Sequence, residues 1–200
     1  SSYQFHWKRF LFDNFPKGTA FPPLDAPQPP TDLPLAEVQA FSIDDSQTTE
    51  IDDALSVTGL GTGTVTLGIH IAAPGLAIAP GSAIDQLGRQ RLSTVYMPGY
   101  KLTMLPDSVV QIYTLDEGRD NPAVSLYCTI DEATLEITAT ETRLDRVPVV
   151  ANLRHDQLDH IVTEDWLREP SIQIENTPQR LLDLRPQLSF LYGLAQRLKA

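Results

Sequence analysis

The chain has 200 residues, 42% apolar and 20% charged, enough to bury a core for one domain or slightly more, and no apolar run approaches the roughly 18 residues that a membrane-spanning helix needs. Its 15 Lys and Arg against 26 Asp and Glu give a formal charge of −11, a balance that repels phosphates on average and argues against a nucleic-acid coat protein. The single Cys128 can form no internal disulfide and no charged-then-apolar leader opens the chain, so composition predicts a reducing, cytoplasmic setting.

Residues 1–15 carry Phe5, Trp7, Phe10, Phe12 and Phe15 and read as a helix whose rings pack into a core rather than forming a ligand platform. The start on Ser1 rather than Met suggests the end of something longer. Seven prolines between Pro16 and Pro34 fix φ and remove donors, which predicts an extended linker. Residues 1–35 are therefore assigned to a helix remnant with linker, and 36–200 to a second domain. Short apolar, β-branched runs at 38–43, 54–57, 64–71 and 123–130 predict strands of a mostly antiparallel sheet. Gly59, Gly61 and Gly63 supply one turn, and 131–134 a hairpin into a strand at 135–140. From Asp156 the period changes: Leu158, Ile161 and Val162 recur at helical spacing, as do apolar residues over 181–198. The expected fold class is α+β, a mostly antiparallel sheet core with helices at the C-terminal end. The last helix reaches Ala200 without a Gly cap or proline stop, so the chain is expected to be a segment of a longer protein.

The densest chemistry lies at residues 44–53, where Asp44, Asp45, Glu50, Asp52 and Asp53 make five carboxylates out of ten residues between two strand-like runs. No Lys or Arg occurs between Lys17 and Arg89 to offset them. Crowded carboxylates raise one another's pKa, and a cation at their centre removes that cost. Oxygen donors with no His or Cys beside them select Mg²⁺, Mn²⁺ or Ca²⁺ over zinc, and the EF-hand spacing is absent. In an extended strand Asp52 and Asp53 point to opposite faces, so both reach one ion only from a loop or bulge. The alternative is a solvated acidic loop.

Read in order, several blocks carry a resemblance: Phe41-Ser42-Ile43-Asp44-Asp45, Glu50-Ile51-Asp52-Asp53-Ala54-Leu55, Gly68-Ile69-His70-Ile71-Ala72, Gly81-Ser82-Ala83-Ile84-Asp85 and, after Arg91, Thr94-Val95-Tyr96-Met97-Pro98-Gly99-Tyr100 with Met104-Leu105-Pro106. Over about residues 38–131 they resemble the catalytic domain of the ribonuclease II and ribonuclease R family, the RNB domain, and the helical tail to 200 matches its next segment more loosely. The resemblance implies an exoribonuclease that degrades single-stranded RNA from 3′ to 5′ into 5′-mononucleotides with Mg²⁺, or with Mn²⁺ in its place. The family's four acidic catalytic and metal-binding positions fall on Asp44, Glu50, Asp52 and Asp53, with Glu50 where Asp is usual. Asp44 and Asp53 are expected as the main ligands, Glu50 to hold an ion or its water, and Asp52 to align the attacking water or a second ion. The tyrosine that stacks on the nucleotide falls on Tyr96.

The pattern departs at Ala73, where the family commonly has Asp, and the family's later arginine-bearing block is missing from these 200 residues. About half a catalytic domain is thus expected here, with the remainder beyond Ala200 and single-stranded RNA as partners, no membrane, and a monomeric protein. Two other readings stay open: a catalytically silent RNB-like module that binds RNA, and a β-rich calcium-binding or scaffold domain. Arg89, Arg91 and Lys101 are expected in solvent, His70 as a hydrogen-bonded core residue, and Cys128 as a small buried hydrophobe.

Overall fold

Strands arise here from β-branched runs cut by Gly and Asp, and helices from apolar residues three and four apart. A computed structural model describes residues 2–25 and 27–199, in chain order α1 (Ser2–Asn14), β1 (Ala40–Asp44), β2 (Asp53–Thr58), β3 (Thr64–Ala72), α2 (Ala83–Arg91), β4 (Val95–Met97), β5 (Tyr100–Leu102), α3 (Asp107–Tyr113), β6 (Asp120–Asp131), β7 (Ile137–Arg154), α4 (His155–Leu158), α5 (Glu164–Arg168) and α6 (Gln179–Lys199). Two units emerge: Ser1–Gln28 with Gly75–Ile112, and Pro29–Pro74 with Tyr113–Ala200. Among the described residues no helix is long and apolar enough to cross a membrane.

In the larger unit, five strands close into a barrel in the order β1-β2-β3-β6-β7. The neighbours are antiparallel except for β1 against β7, which run parallel. The fold class is α+β as expected, with a mostly antiparallel sheet and helices towards the C-terminus. What the sequence reading lacked is the closure. It comes from β7, 18 residues long, which pairs with β6 from Ile137 to Pro148 and then with β1 from Val149 to Arg154.

The two faces of the barrel wall are set by what they meet. Val57, Val65, Leu67, Cys128 and Ile130 pack against Phe190 and Leu194 of α6, and Phe41, Ala151 and Leu153 against Leu181, Leu184 and Leu188 of the same helix. A barrel of five strands has no room for a helix inside, so these side chains face out. The alternate positions face in, and they are small: Ala40, Ala54, Ala123, Val147 and Val149, with Ile51 and Leu115 at one end. Five strands leave little interior room, which suits Ala, Ser and Gly.

Among the polar groups inside is His70, fully buried. Its Nε2 lies 2.9 Å from Ser56 Oγ and its Nδ1 2.8 Å from Ser125 Oγ, so a neutral imidazole has one donor and one acceptor, each matched by a hydroxyl. Gly68, two residues away on the same face, makes room for this ring: a Cβ there would stand 2.6 Å from His70 Nε2. Burial lowers the His70 pKa to about 4, against an opposing pull from Asp145.

In the smaller unit, α2 starts on Ser82, whose side chain accepts from the Asp85 N–H, and carries Arg89 and Arg91 in its last turn. Arg91 is not in open solvent as expected. Its guanidinium lies 3.7 Å from the centroid of the Phe21 ring and donates to the carbonyls of Thr19 (2.7 Å) and Thr103 (3.0 Å), so it ties down the proline-rich segment. The core role expected for the α1 aromatics also fails within the described residues. The helix buries none of its side chains, Phe5 and Phe12 are exposed, and Trp7 stacks instead on Phe10 and Tyr100.

Candidate active site

One buried residue organises the acidic loop. Ile51 is 2% exposed; its N–H donates to Thr114 Oγ1 (2.8 Å) and its carbonyl accepts from the Leu115 N–H (2.9 Å), which plugs it into the barrel end. With Ile51 turned inward, its neighbours are turned out: Glu50 is half-buried and Asp52 exposed. The Asp52 carbonyl accepts from the Ala72 N–H (2.9 Å), pinning the loop to the end of β3. Asp53 then opens β2 opposite Ile71, also exposed.

Asp44 closes β1 and is held from a distance. Its Oδ2 accepts a 2.6 Å hydrogen bond from Ser42 Oγ, itself 3% exposed. Because Asn152 Nδ2 donates to that same oxygen (3.0 Å), the serine proton is committed to the carboxylate. Asn152 also donates to the Leu115 carbonyl (3.0 Å) and accepts from the Glu117 N–H (2.8 Å), so its own orientation is set. Sequence reasoning missed Asn152, and no local signal points to it.

It also missed the cation beside the loop. Arg154 stands level with Asp44 in the parallel β1–β7 register, and its Nη1 donates to the carbonyls of Asp45 (2.9 Å) and Thr48 (3.2 Å). The 45–48 turn is closed by the Thr48 N–H on the Asp45 carbonyl (2.9 Å). The charge that the neighbouring sequence lacks thus arrives from β7.

Antiparallel pairing of β1 with β2, Phe41 opposite Leu55, sets Asp44, Asp52 and Asp53 at one end of the barrel. In kind, these donors suit a hard divalent ion such as Mg²⁺ or Mn²⁺. In placement they are incomplete: among the described residues no three His, Cys, Asp or Glu side chains gather to hold an ion. Holding one requires the exposed carboxylates to swing together or ligands from elsewhere in the protein.

Tyr96 lies in the other unit, on the β4–β5 hairpin, 68% exposed. Opposite it is Lys101, whose ammonium is 5.6 Å from the ring centroid. Tyr100, 56% exposed, lies against Trp7 at 5.2 Å between centroids. An open ring with a cation beside it can stack on a base and meet a phosphate.

The family model described as the RNB domain matches residues 33–200. The chain belongs to the RNB domain family. Among RNB relatives, a ribonuclease R of Chlamydia muridarum is 30% identical over 131 residues, which is 64% of this chain and 18% of the relative. An exoribonuclease 2 of Aeromonas hydrophila is 32% identical over 139 residues, 68% of this chain and 20% of the relative. The chain therefore spans about a fifth of the length of these curated relatives. Of solved structures, the yeast pseudonuclease Ssd1 matches at 28% identity with a TM-score of 0.62 over 68% of this chain and 18% of its own. Mycoplasma genitalium RNase R in complex with ribose methylated single-stranded RNA matches at 20% identity with a TM-score of 0.63, covering 95% of this chain and 28% of its own, a likeness of fold alone. Ala73, the position where this RNB chain departs from the expected acidic residue, is a buried apolar residue, 6% exposed.

Proposed function

We propose that the protein carrying this RNB chain is a 3′-to-5′ exoribonuclease that takes single-stranded RNA and releases 5′-mononucleotides with Mg²⁺, Mn²⁺ serving in its place. The observation that carries the reading is the RNB match over residues 33–200, which includes every acidic position in question. A divalent ion bound there would shield the phosphate and acidify a water. Asp44 and Asp53, at the ends of adjacent strands, are the proposed main ligands, and Glu50 orients an ion or its water. Asp52, exposed beside Asp53, aligns the attacking water. Tyr96 stacks on a base of the RNA without reading its identity, for about 1 to 3 kcal/mol of grip.

Incubating the full-length protein with a single-stranded RNA labelled on its 3′-terminal nucleotide tests this. Mononucleotide release that stops on chelation of divalent ions is expected, and Asp52→Asn is expected to keep RNA binding while lowering turnover by several orders of magnitude. Wild-type turnover in that variant would refute the assignment of Asp52.

A second reading has observations of its own. The likeness to a yeast pseudonuclease, Glu50 and Ala73 at expected Asp positions, and carboxylates that do not gather in threes favour a silent module that binds RNA without cutting it. RNA binding without metal-dependent release would select it.

A further inference from the structure

Away from the acidic loop, the opposite end of the barrel is incomplete. β1 begins only at Ala40, while β6 and β7 run on to their hairpin at 131–137. Residues 34–38 cross the gap instead, tied to β7 through the Ala36 N–H on the Arg146 carbonyl (2.9 Å) and the Arg146 N–H on the Pro34 carbonyl (2.8 Å). Between this segment and the strands lies a cavity of about 630 Å³, within the range of small-molecule sites.

Its lining is half polar, the apolar half coming from Pro34, Leu35, Ala36, Val38 and Ala139. Thr58, Thr66 and Thr129 bring hydroxyls from three strands. Asp145, 4% exposed, also lines it, and its Oδ2 accepts from Tyr127 Oη (2.7 Å), which leaves the other carboxylate oxygen for an incoming donor. Burial and this bond push the Tyr127 pKa up to about 12, so the phenol stays a donor and adds no negative charge. Towards the rim stand Glu37, Glu141 and Arg143. The Arg143 guanidinium is already engaged, 2.6 Å from Glu141 Oε2 and 5.2 Å from the centroid of the Tyr127 ring. What faces the space is therefore net negative: Arg143 and Glu141 neutralise each other, which leaves the carboxylates of Asp145 and Glu37.

An anion is repelled by that lining, and an apolar ligand would leave the second Asp145 oxygen and the hydroxyls unmatched. We infer that this cavity binds a small organic cation, an alkyl amine with several N–H donors, its ammonium on Asp145 and the rest of its length along the threonines and Glu37. The wall at 36–38 has room to adjust to such a guest, since a second cavity of about 320 Å³ lies against the same residues and Gln187. The site is independent of the nuclease reading, being formed at the other end of the barrel from Asp44 and Asp53.

Titration calorimetry of the RNA-free, full-length protein with spermidine, in saturating Mg²⁺, tests it. Saturable binding at one site is expected, weakened about tenfold or more by Asp145→Asn, which still accepts the Tyr127 bond. Glu37→Gln, on the exposed 34–38 segment, is expected to weaken it too without touching the core, whereas Asp52→Asn leaves it unchanged. Absence of saturable heat, wild-type affinity in either cavity variant, loss of binding through Asp52→Asn, or preference for an uncharged polyol such as sorbitol would each overturn the inference.

Discussion

At the scale of single residues, the acidic loop is a set of exposed and half-buried carboxylates positioned by neutral groups set deeper in the barrel end. Ile51 decides which way Glu50 and Asp52 face, and Asn152 decides where the Ser42 proton goes and so how Asp44 is held. The acidic positions were legible in the sequence because carboxylate crowding is a local signal. Asn152 and Arg154 were not, because they reach the loop through a pairing 109 to 110 residues away in sequence. If Asp44 is a ligand as proposed, Asn152→Ala frees Ser42 to turn its proton elsewhere and loosens the carboxylate. The metal concentration for half-maximal RNA hydrolysis should then rise about tenfold or more, the usual effect of losing an outer partner of a ligand. An unchanged metal requirement in a folded variant would show that Asn152 only braces the 115–117 loop.

At the scale of elements, strands and helices were legible to different degrees. Strands β1 to β3 and β6 came out near their predicted places because their β-branched residues form short runs bounded by turns. β7 was cut short at residue 140, since the stretch 141–146 reads Glu-Thr-Arg-Leu-Asp-Arg and is exposed over most of its length. Its burial alternates only from Asp145 onward, where it turns into the barrel. α2 was passed over although Ser82, Asp85 and the closing arginines spell both of its ends. α6 was clear from its period, and it holds the barrel from outside. Gln187 Oε1 accepts from the Val57 N–H (3.3 Å), one turn from the apolar contacts. Leu188, 6% exposed among Phe41, Leu153 and Trp166, is the test of that packing. Leu188→Ala should cost about 2 to 5 kcal/mol in urea denaturation, and a loss below 1 would mean that the helix rests lightly on the strands.

At the scale of the whole molecule, the buried His70 makes the fold sensitive to acid. Its ring is neutral in the folded protein down to about pH 4 but takes up a proton near 6.5 once unfolded. Between those values the unfolded chain binds more protons, so stability is complete above about 6.5 and declines as pH falls towards 4, by about 3 kcal/mol in all. Urea midpoints measured from pH 7.5 to 4 should trace that decline, and His70→Gln should flatten it even though it lowers stability at neutral pH. A wild-type curve with no slope in this window would remove His70 as the cause.

Closure by β7 has a last consequence, for the order of events on the ribosome. The parallel contact that fixes Asp44 and ties down the 45–48 turn joins residues 109 apart, so it cannot form until Arg154 has emerged and β1 has waited for more than half the chain. Such distant pairings are slow to find because a long loop must close first. The β2–β3 hairpin closes over a short loop, whereas the Asp44 end of β1 is among the last parts to take shape, and a nascent chain halted before β7 is complete would carry Asp44 and the 45–48 turn without the Asn152 and Arg154 contacts that hold them.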